Sequence, residues 1–123
     1  MKIKEKGSFD NIEKFLQKTK ENNEYIDRML MEYGQKGCDA LLIATPKRTG
    51  LTSRSWIYKI RHEGKKTYLE WHNTNIQDGA VIAVLIQYGF VTSRGYYVEG
   101  RDYINPALAP VIEELKKAVK GEN

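Results

Sequence analysis

Cysteine, proline and long apolar runs are all scarce in this chain. The single cysteine, Cys38, cannot form an internal disulfide, so the fold does not depend on an oxidising compartment. Three prolines and no low-complexity tract argue against extended disorder. The longest apolar run, residues 80–86, is far shorter than the roughly 20 residues of a membrane span, and residues 1–7 lack the apolar stretch of a signal peptide. The sequence therefore predicts a protein that stays in the cytosol where it is made and has no membrane partner.

The sequence motifs of common catalytic and metal sites are also missing. There is no Gly-x-x-x-x-Gly-Lys phosphate loop and no Gly-x-Ser-x-Gly nucleophile motif. His62 and His72 have no further ligand at metal-binding spacing, which makes a poor zinc site. Glu70, Glu99 and Asp102 are scattered carboxylates of the kind that any chain of this size contains. We expect no enzymatic activity, no cofactor and no metal.

Positive charge is concentrated in one part of the sequence. The 123 residues favour a single domain, residues 1–123, with a formal net charge of +4. Residues 46–66 alone carry seven basic side chains against Glu63, a net charge of +6. A localised basic stretch is typical of proteins that bind an acidic surface or nucleic acid, although a solvated hairpin face explains it equally well.

Apolar periodicity predicts an α+β fold, namely an N-terminal helix pair packed on a small antiparallel sheet built round a β-hairpin, a short middle helix and a C-terminal helix. Residues 1–7 are an edge strand or a flexible arm. The first helix begins at a Ser8 or Asp10 cap and ends near Thr19. The other predicted elements are a long helix at 24–44, a hairpin of 55–62 with 66–73, a buried strand or short helix at 80–88, and a last helix that begins at 105–106 and ends near 120.

Three details of this reading concern packing. Gly34 and Gly37 inside the long helix predict close approach of another backbone, because glycine there costs about 1 kcal/mol relative to alanine. Cys38 has no basic sequence neighbour that would activate it, so we interpret it as a packing residue. The alternation in the hairpin places Trp56, together with Tyr58, Ile60, Leu69 and Trp71, towards the long helix and its Lys/Arg face outwards.

Two loops are predicted contact loops, residues 46–54 and residues 90–103. The first lies in the stretch 45–56 (TPKRTGLTSRSW), where Pro46 ends the helix and Gly50 permits a sharp bend. The second carries three tyrosines, two arginines and no periodicity. Tyrosine and arginine are enriched among interface hot spots, which favours contact loops over spacers.

Two segments together resemble a known family. ATPKRTGLTSRSW, residues 44–56, resembles the motif P-x-x-T-G-x-L-x-x-S-(W/I). IQYG at 86–89, followed by YVEGRDYINPAL at 97–108, resembles E-Y-G and then (R)-x-F-(L/I)-x-P-A-(L/F) before a final helix. The chain departs at Leu51, which directly follows Gly50, and at Tyr103, where the family usually has Phe. This pairing is similar to the tail-completion (neck, or head–tail joining) proteins of tailed bacteriophages and prophages.

The resemblance implies a structural protein of the virion, located in the tail or neck and assembled in the cytoplasm of the bacterial host. It implies a ring of identical subunits, a hexamer, that joins the tail to the head connector. The partners would be the connector and the tail tube or tail terminator proteins, with a passing contact with phage DNA. On this reading the contact residues, which meet neighbouring subunits, neck proteins or DNA, are Lys47, Arg48, Arg54, Arg94, Tyr96, Tyr97, Arg101 and Tyr103.

A different class of function remains open at this point. The basic hairpin, with Trp56, Tyr58 and Trp71, would also suit a small nucleic-acid-binding module, in which basic groups contact phosphates and aromatic rings stack on bases. Such binding would weaken steeply with salt, whereas a neck protein would form concentration-dependent oligomers.

Overall fold

The computed structural model describes residues 2–7, 12–17, 23–47, 50–64, 66–92 and 94–119. The predicted α+β class is confirmed. The elements in chain order are β1 Lys2–Gly7, β2 Ile12–Gln17, α1 Asn23–Ala44, β3 Trp56–Glu63, β4 Lys66–Asn73, β5 Ile76–Gln77, β6 Ala80–Val81, α2 Ile82–Tyr88, β7 Gly89–Val91, β8 Tyr97–Glu99 and α3 Ile104–Val119.

The main sheet is antiparallel and has the strand order β1-β2-β4-β3. Among the described strands, β1 lies at the edge of the sheet beside β2, as the edge-strand alternative for residues 1–7 predicts. The predicted first helix is wrong, because residues 12–17 form β2 and pair with β4 from Ile12↔Trp71 to Gln17↔Lys66. A helix there would leave the backbone edge of β4 unpaired, and a short segment with few apolar positions fits either period. The fold therefore has one long N-terminal helix rather than a helix pair, and Ser8 and Asp10 lie outside the described residues.

The hairpin of β3 and β4 forms in the predicted place and with the predicted faces. Tyr58 pairs with Trp71 and Ile60 pairs with Leu69, and these side chains belong to or pack against the core. On the opposite face, Lys59 is exposed. The core lies between this inner face of the sheet, α1 and α3.

Aromatic rings, rather than a backbone, pack against the two glycines of α1. A Cβ on Gly34 would lie 2.5 Å from the Tyr58 ring, and one on Gly37 would overlap the Trp71 ring. Trp71 is fully buried, and its Nε1 donates a hydrogen bond to the Gly34 carbonyl at 2.9 Å. The predicted close approach at these glycines is thus confirmed, but the groups that approach are aromatic rings and not a backbone.

α3 packs antiparallel along α1. Its N-terminal end lies near the C-terminal end of α1, where the side chains of Tyr103 and Thr45 interact. Further along, Lys36 pairs with Glu114 at 3.5 Å, and Ala118 lies beside the N-terminal half of α1.

Two segments that the sequence leaves without a definite helix or strand, residues 80–88 and 90–103, contain short elements. Residues 82–88 form the helix α2, preceded by the strand pair β5–β6 with its turn at Asp78 and Gly79. The predicted loop 90–103 instead contains most of a small hairpin, β7–β8. Three-residue strands are too short to give a recognisable alternation, so the sequence pattern misses them.

Candidate interaction surface

The C-terminal end of α1 is fixed by a buried chain of hydrogen bonds. The Thr45 hydroxyl donates to the Leu41 carbonyl at 2.5 Å and accepts from Trp56 Nε1 at 2.8 Å. Trp56 packs against the core, as the sequence predicts. Thr45 is fully buried, so its hydroxyl would lack partners without this arrangement. The helix end and the start of β3 are thereby held together, and the basic loop between them has fixed ends.

The basic loop, residues 46–54, presents two of its three predicted contact residues to solvent. Lys47 and Arg54 are exposed, and Arg48 lies outside the described residues. Gly50 adopts a positive φ of 77°, and the Arg54 amide donates to its carbonyl at 3.2 Å. The described part of the loop is therefore an ordered turn that carries its charges outwards.

A buried polar network that the sequence reasoning missed fastens this loop to the segment after β4. Asn73 Nδ2 donates to the Thr52 carbonyl at 2.8 Å, and Asn75 Nδ2 donates to the Thr52 hydroxyl at 2.9 Å. The Asn75 amide in turn donates to Asn73 Oδ1 at 3.0 Å. These three residues are buried polar groups that satisfy one another. Thr52 lies more than 20 positions before the two asparagines, so no local pattern in the sequence could reveal the network.

The second predicted contact region, residues 90–103, largely coincides with a hairpin at residues 89–101. We call these residues the contact hairpin. Tyr96 and Tyr97 are 70% and 67% exposed, Val91 is 66% exposed, and Val98 is also exposed. Arg94, at the turn, is exposed as well. The described part of the turn is ordered by hydrogen bonds from the amides of Gly95 and Tyr96 to the Thr92 carbonyl and hydroxyl. The hairpin therefore holds large apolar side chains in water on an ordered backbone.

The base of the contact hairpin is joined tightly to α2. The Arg101 amide donates to the Ile86 carbonyl at 2.9 Å, and the Arg101 side chain is exposed. A Cβ on Gly100 would lie 2.5 Å from the backbone of Tyr88, and Gly89 has a positive φ of 87°. Close backbone approach at these two glycines explains why both ends of the hairpin need glycine.

Gln87 caps the N-terminus of α3 and was not recognised from the sequence as a functional residue. Its Oε1 accepts hydrogen bonds from the amides of Tyr103 at 3.0 Å and Ile104 at 2.9 Å. Its Nε2 donates to Asp102 Oδ1 at 2.7 Å. The first amides of a helix have no partner within the helix, so a buried side-chain oxygen that accepts two of them positions α3 against α2. Asn105 contacts the same carboxylate at 3.1 Å.

Tyr103 does not belong to the exposed surface, and its prediction as a contact residue is wrong. It is only 4% exposed, and its hydroxyl donates to the Ala83 carbonyl at 2.7 Å. Burial raises the pKa of its phenol well above the ordinary value, against a smaller opposing effect of the Thr45 side chain. Tyr103 therefore links α2, α3 and the end of α1 inside the fold.

The outer face of the β3–β4 hairpin is less basic than its sequence indicates. The Arg61 guanidinium lies 3.9 Å from the centre of the Tyr68 ring, donates to Glu70 at 3.1 Å and contacts Glu63. Glu70 is buried and also lies 3.1 Å from His72. Part of the positive charge that the sequence concentrates here is thus neutralised within the same face.

Three aromatic residues of this hairpin, Trp56, Tyr58 and Trp71, point inwards. Trp71 is fully buried, while Tyr58 and Trp56 are partly buried and packed against the core. Stacking on nucleic-acid bases requires exposed rings. The feature that would make the hairpin a nucleic-acid-binding module therefore serves the core instead.

The remaining candidates for chemistry do not assemble. His62 and His72 lie on opposite faces of the hairpin, since His62 pairs with Thr67 and His72 pairs with Ile57. Within the described ranges, no group of three or more His, Cys, Asp or Glu side chains could hold a metal ion. Cys38 is buried, as expected of a packing residue, and burial raises the pKa of its thiol to about 11.

The exposed predicted contact residues fall into two groups on separate elements. Lys47 and Arg54 belong to the basic loop, whereas Arg94, Tyr96, Tyr97 and Arg101 belong to the contact hairpin.

In the part of the chain that the structure describes, no helix is long and apolar enough to cross a membrane. Comparison with known proteins finds no match: no family profile, no curated protein and no solved structure is similar to this chain.

Proposed function

We propose that this protein is a tail-completion (neck) subunit of a tailed bacteriophage or prophage. Its subunits form a ring that joins the tail to the head connector, and it acts as a structural protein of the virion rather than as an enzyme. Its partners are further copies of itself, the head–tail connector, and the tail tube or tail terminator proteins.

The observation that carries this proposal is the contact hairpin. Val91, Tyr96 and Tyr97 together leave three large apolar side chains more than 60% exposed on one short two-stranded element. Large apolar side chains that are exposed close together on one element favour a protein–protein contact. Tyrosine and arginine, which are the residues most enriched at hot spots, occur together here.

The arrangement of the resembling motifs also supports the proposal. The first motif corresponds to the end of α1, the basic loop and the start of β3, which Thr45 and Trp56 hold together. The second corresponds to α2, the contact hairpin and the start of α3, which Gln87 and Tyr103 join. Both motifs thus contain anchors inside the subunit and charged or aromatic residues outside it, as a subunit of an assembly needs.

Replacing Tyr96 and Tyr97 together by alanine should weaken self-association at least about 30-fold, because a truncated hot spot costs 2 kcal/mol or more. The fold should be retained, since both side chains are exposed. Sedimentation of the full chain over a concentration series measures the association, and a tail-joining assay measures its consequence.

Ile76→Ala is the matched control, because Ile76 is an exposed apolar residue outside the contact hairpin. It should leave association and tail joining unchanged. If the double tyrosine variant associates and joins tails as well as the control, the contact hairpin is not the assembly surface and the proposal loses its main support.

A further inference from the structure

The contact hairpin meets the rest of the fold through a tightly packed base. We call this base the junction and define it as Gln87, Gly89, Gly100 and Arg101. A Cβ on Gly100 would lie 2.5 Å from the Tyr88 carbonyl carbon and 2.6 Å from the Gln87 carbonyl oxygen. It would also lie 2.7 Å from the Gly89 amide nitrogen. Because all three atoms belong to the backbone, no side-chain rotation can relieve these contacts, and the base keeps this geometry only with glycine at position 100.

Hydrogen bonds connect the junction to α2 and to the start of α3. The Gly89 amide donates to the Leu85 carbonyl at the end of α2, and the Arg101 amide donates to the Ile86 carbonyl at 2.9 Å. The side chain of Gln87 is buried and bonds to the first residues of α3 and to the residues just before it. An unbroken series of contacts therefore runs from the buried start of α3 to the base of the hairpin.

The junction also determines the space available to one exposed contact residue. A Cβ on Gly89 would lie 3.0 Å from the Tyr97 hydroxyl. Tyr97 pairs with Val91 in the hairpin and is 67% exposed. The position of this exposed ring thus depends on the backbone at the base of the hairpin.

A small shift at the junction moves the far end of the hairpin by a larger distance. Neighbouring strands lie about 5 Å apart, and Tyr96 lies beyond the three residues of β7, which span about 10 Å. A displacement of about 1 Å at the base therefore turns the hairpin by roughly 10° and moves its tip by about 2 Å. The cores of protein interfaces are packed as densely as protein interiors, so a shift of this size disrupts the contact.

We infer that Gly100 and Gln87 are positioning residues for self-association. They act through the contact hairpin, by fixing the direction in which its exposed side chains point. This inference rests on the proposed function, because it concerns the same surface and the same association. It assigns a role in assembly to residues that exposure alone does not reveal, since Gln87 is only 6% exposed.

Gly100→Ala should weaken the association of the folded chain at least about tenfold, because coupling between linked sites typically changes an affinity by roughly 5–150-fold. Sedimentation over a concentration series measures association, and circular dichroism at the same temperature measures the folded fraction. The matched control is Gly79→Ala, since Gly79 has a positive φ of 79° and nothing lies within 4 Å of an added Cβ. Alanine there strains a turn outside the contact hairpin. It should lower the melting temperature and leave the association of the folded chain unchanged.

A second pair of variants tests the inference if Gly100→Ala fails to fold. Gln87→Ala should weaken the association of the folded chain at least about fivefold, whereas Gln87→Glu, which keeps the acceptors for the amides of α3, should stay within about twofold of the wild-type chain. Gly37→Ala is the control for lost stability alone, because its added Cβ meets the Trp71 ring in the core. Its association, corrected for the folded fraction, should equal that of the wild-type chain.

The outcomes separate this inference from the proposed function. Wild-type association of folded Gly100→Ala and Gln87→Ala chains would overturn the positioning role, as would equal losses in Gly100→Ala and Gly79→Ala. If replacement of Tyr96 and Tyr97 still weakens association in either case, the proposed function stands. A wild-type chain that remains monomeric at every concentration would contradict both.

Discussion

Gly37→Ala should lower the free energy of unfolding by about 2 kcal/mol. The added Cβ overlaps the ring of Trp71, which is fully buried and hydrogen-bonded to the Gly34 carbonyl. Overpacking of a core typically costs about 1–3 kcal/mol, and the overlap of the added Cβ with the Trp71 ring places this site at the upper end, about 3 kcal/mol. The gain in helix propensity recovers about 1 kcal/mol. Thermal and denaturant unfolding of the full chain measure the change, with an expected fall in melting temperature of about 8 °C.

The sign of the change in stability distinguishes a glycine that packs against a buried ring from a solvent-exposed glycine in a helix. At a solvent-exposed helical position, the same substitution would stabilise the protein by about 1 kcal/mol. Trp71→Phe, which shortens the ring, should reduce the additional cost of Gly37→Ala by at least about 1 kcal/mol in a double-mutant cycle. A neutral or stabilising Gly37→Ala would contradict the position of Trp71 against α1.

Gln87→Ala should cost about 3 kcal/mol of stability. The substitution leaves the amides of Tyr103 and Ile104 without an acceptor at the buried start of α3. Each unsatisfied buried donor costs about 1–3 kcal/mol. Because α3 contributes Ile104, Leu108, Val111, Ile112 and Leu115 to the core, loosening its start affects the whole subunit. Denaturant unfolding measures the loss.

Gln87→Glu is the matched comparison, because a carboxylate keeps the acceptors and carries the charge that a helix N-terminus favours. It replaces the hydrogen bond to Asp102 by repulsion between two carboxylates, which is eased because Asp102 is exposed and can turn away. We expect the glutamate variant to retain more than half of the stability that the alanine variant loses. Equal stability of the two variants would show that the cap contributes little.

The elements that the sequence predicts well are those with a long, regular apolar pattern. The 22 residues of α1 and the eight-residue strands β3 and β4 repeat their apolar positions often enough to determine both the type of element and its buried face. This pattern does not identify the two N-terminal strands, β1 and β2. Residues 12–17 offer too few positions to separate the two periods, and their partners in β4 lie 49 to 59 residues away, from Gln17↔Lys66 to Ile12↔Trp71.

The anchors of the candidate site depend on contacts across long sequence distances. Gln87 caps a helix that begins 17 positions later, and Thr52 meets Asn73 and Asn75 beyond the β3–β4 hairpin. None of these residue types at these spacings is a known local signal. The exposed members of the surface were predictable for a different reason, since Tyr96, Tyr97 and Arg94 lie in a segment whose composition is typical of interfaces.

Tyr103 shows where reasoning from composition fails. A tyrosine in an aromatic, glycine-containing segment fits a contact surface, yet this one directly precedes α3 and its ring is directed into the core. Its hydroxyl has a specific acceptor in Ala83, which is the usual requirement for a buried tyrosine. The boundary between exposed surface and core therefore lies between Arg101 and Tyr103, a division that composition does not mark.

Electron microscopy of assembled particles tests the central claim most directly. The full chain, tagged at one terminus and produced in the bacterium that encodes it, would be localised on purified particles with a label against the tag. The account predicts label in a ring at the junction between head and tail, and loss of that label together with loss of joined tails when Tyr96 and Tyr97 are both replaced by alanine. Label elsewhere on the particle, or particles that join normally without the protein, would contradict it.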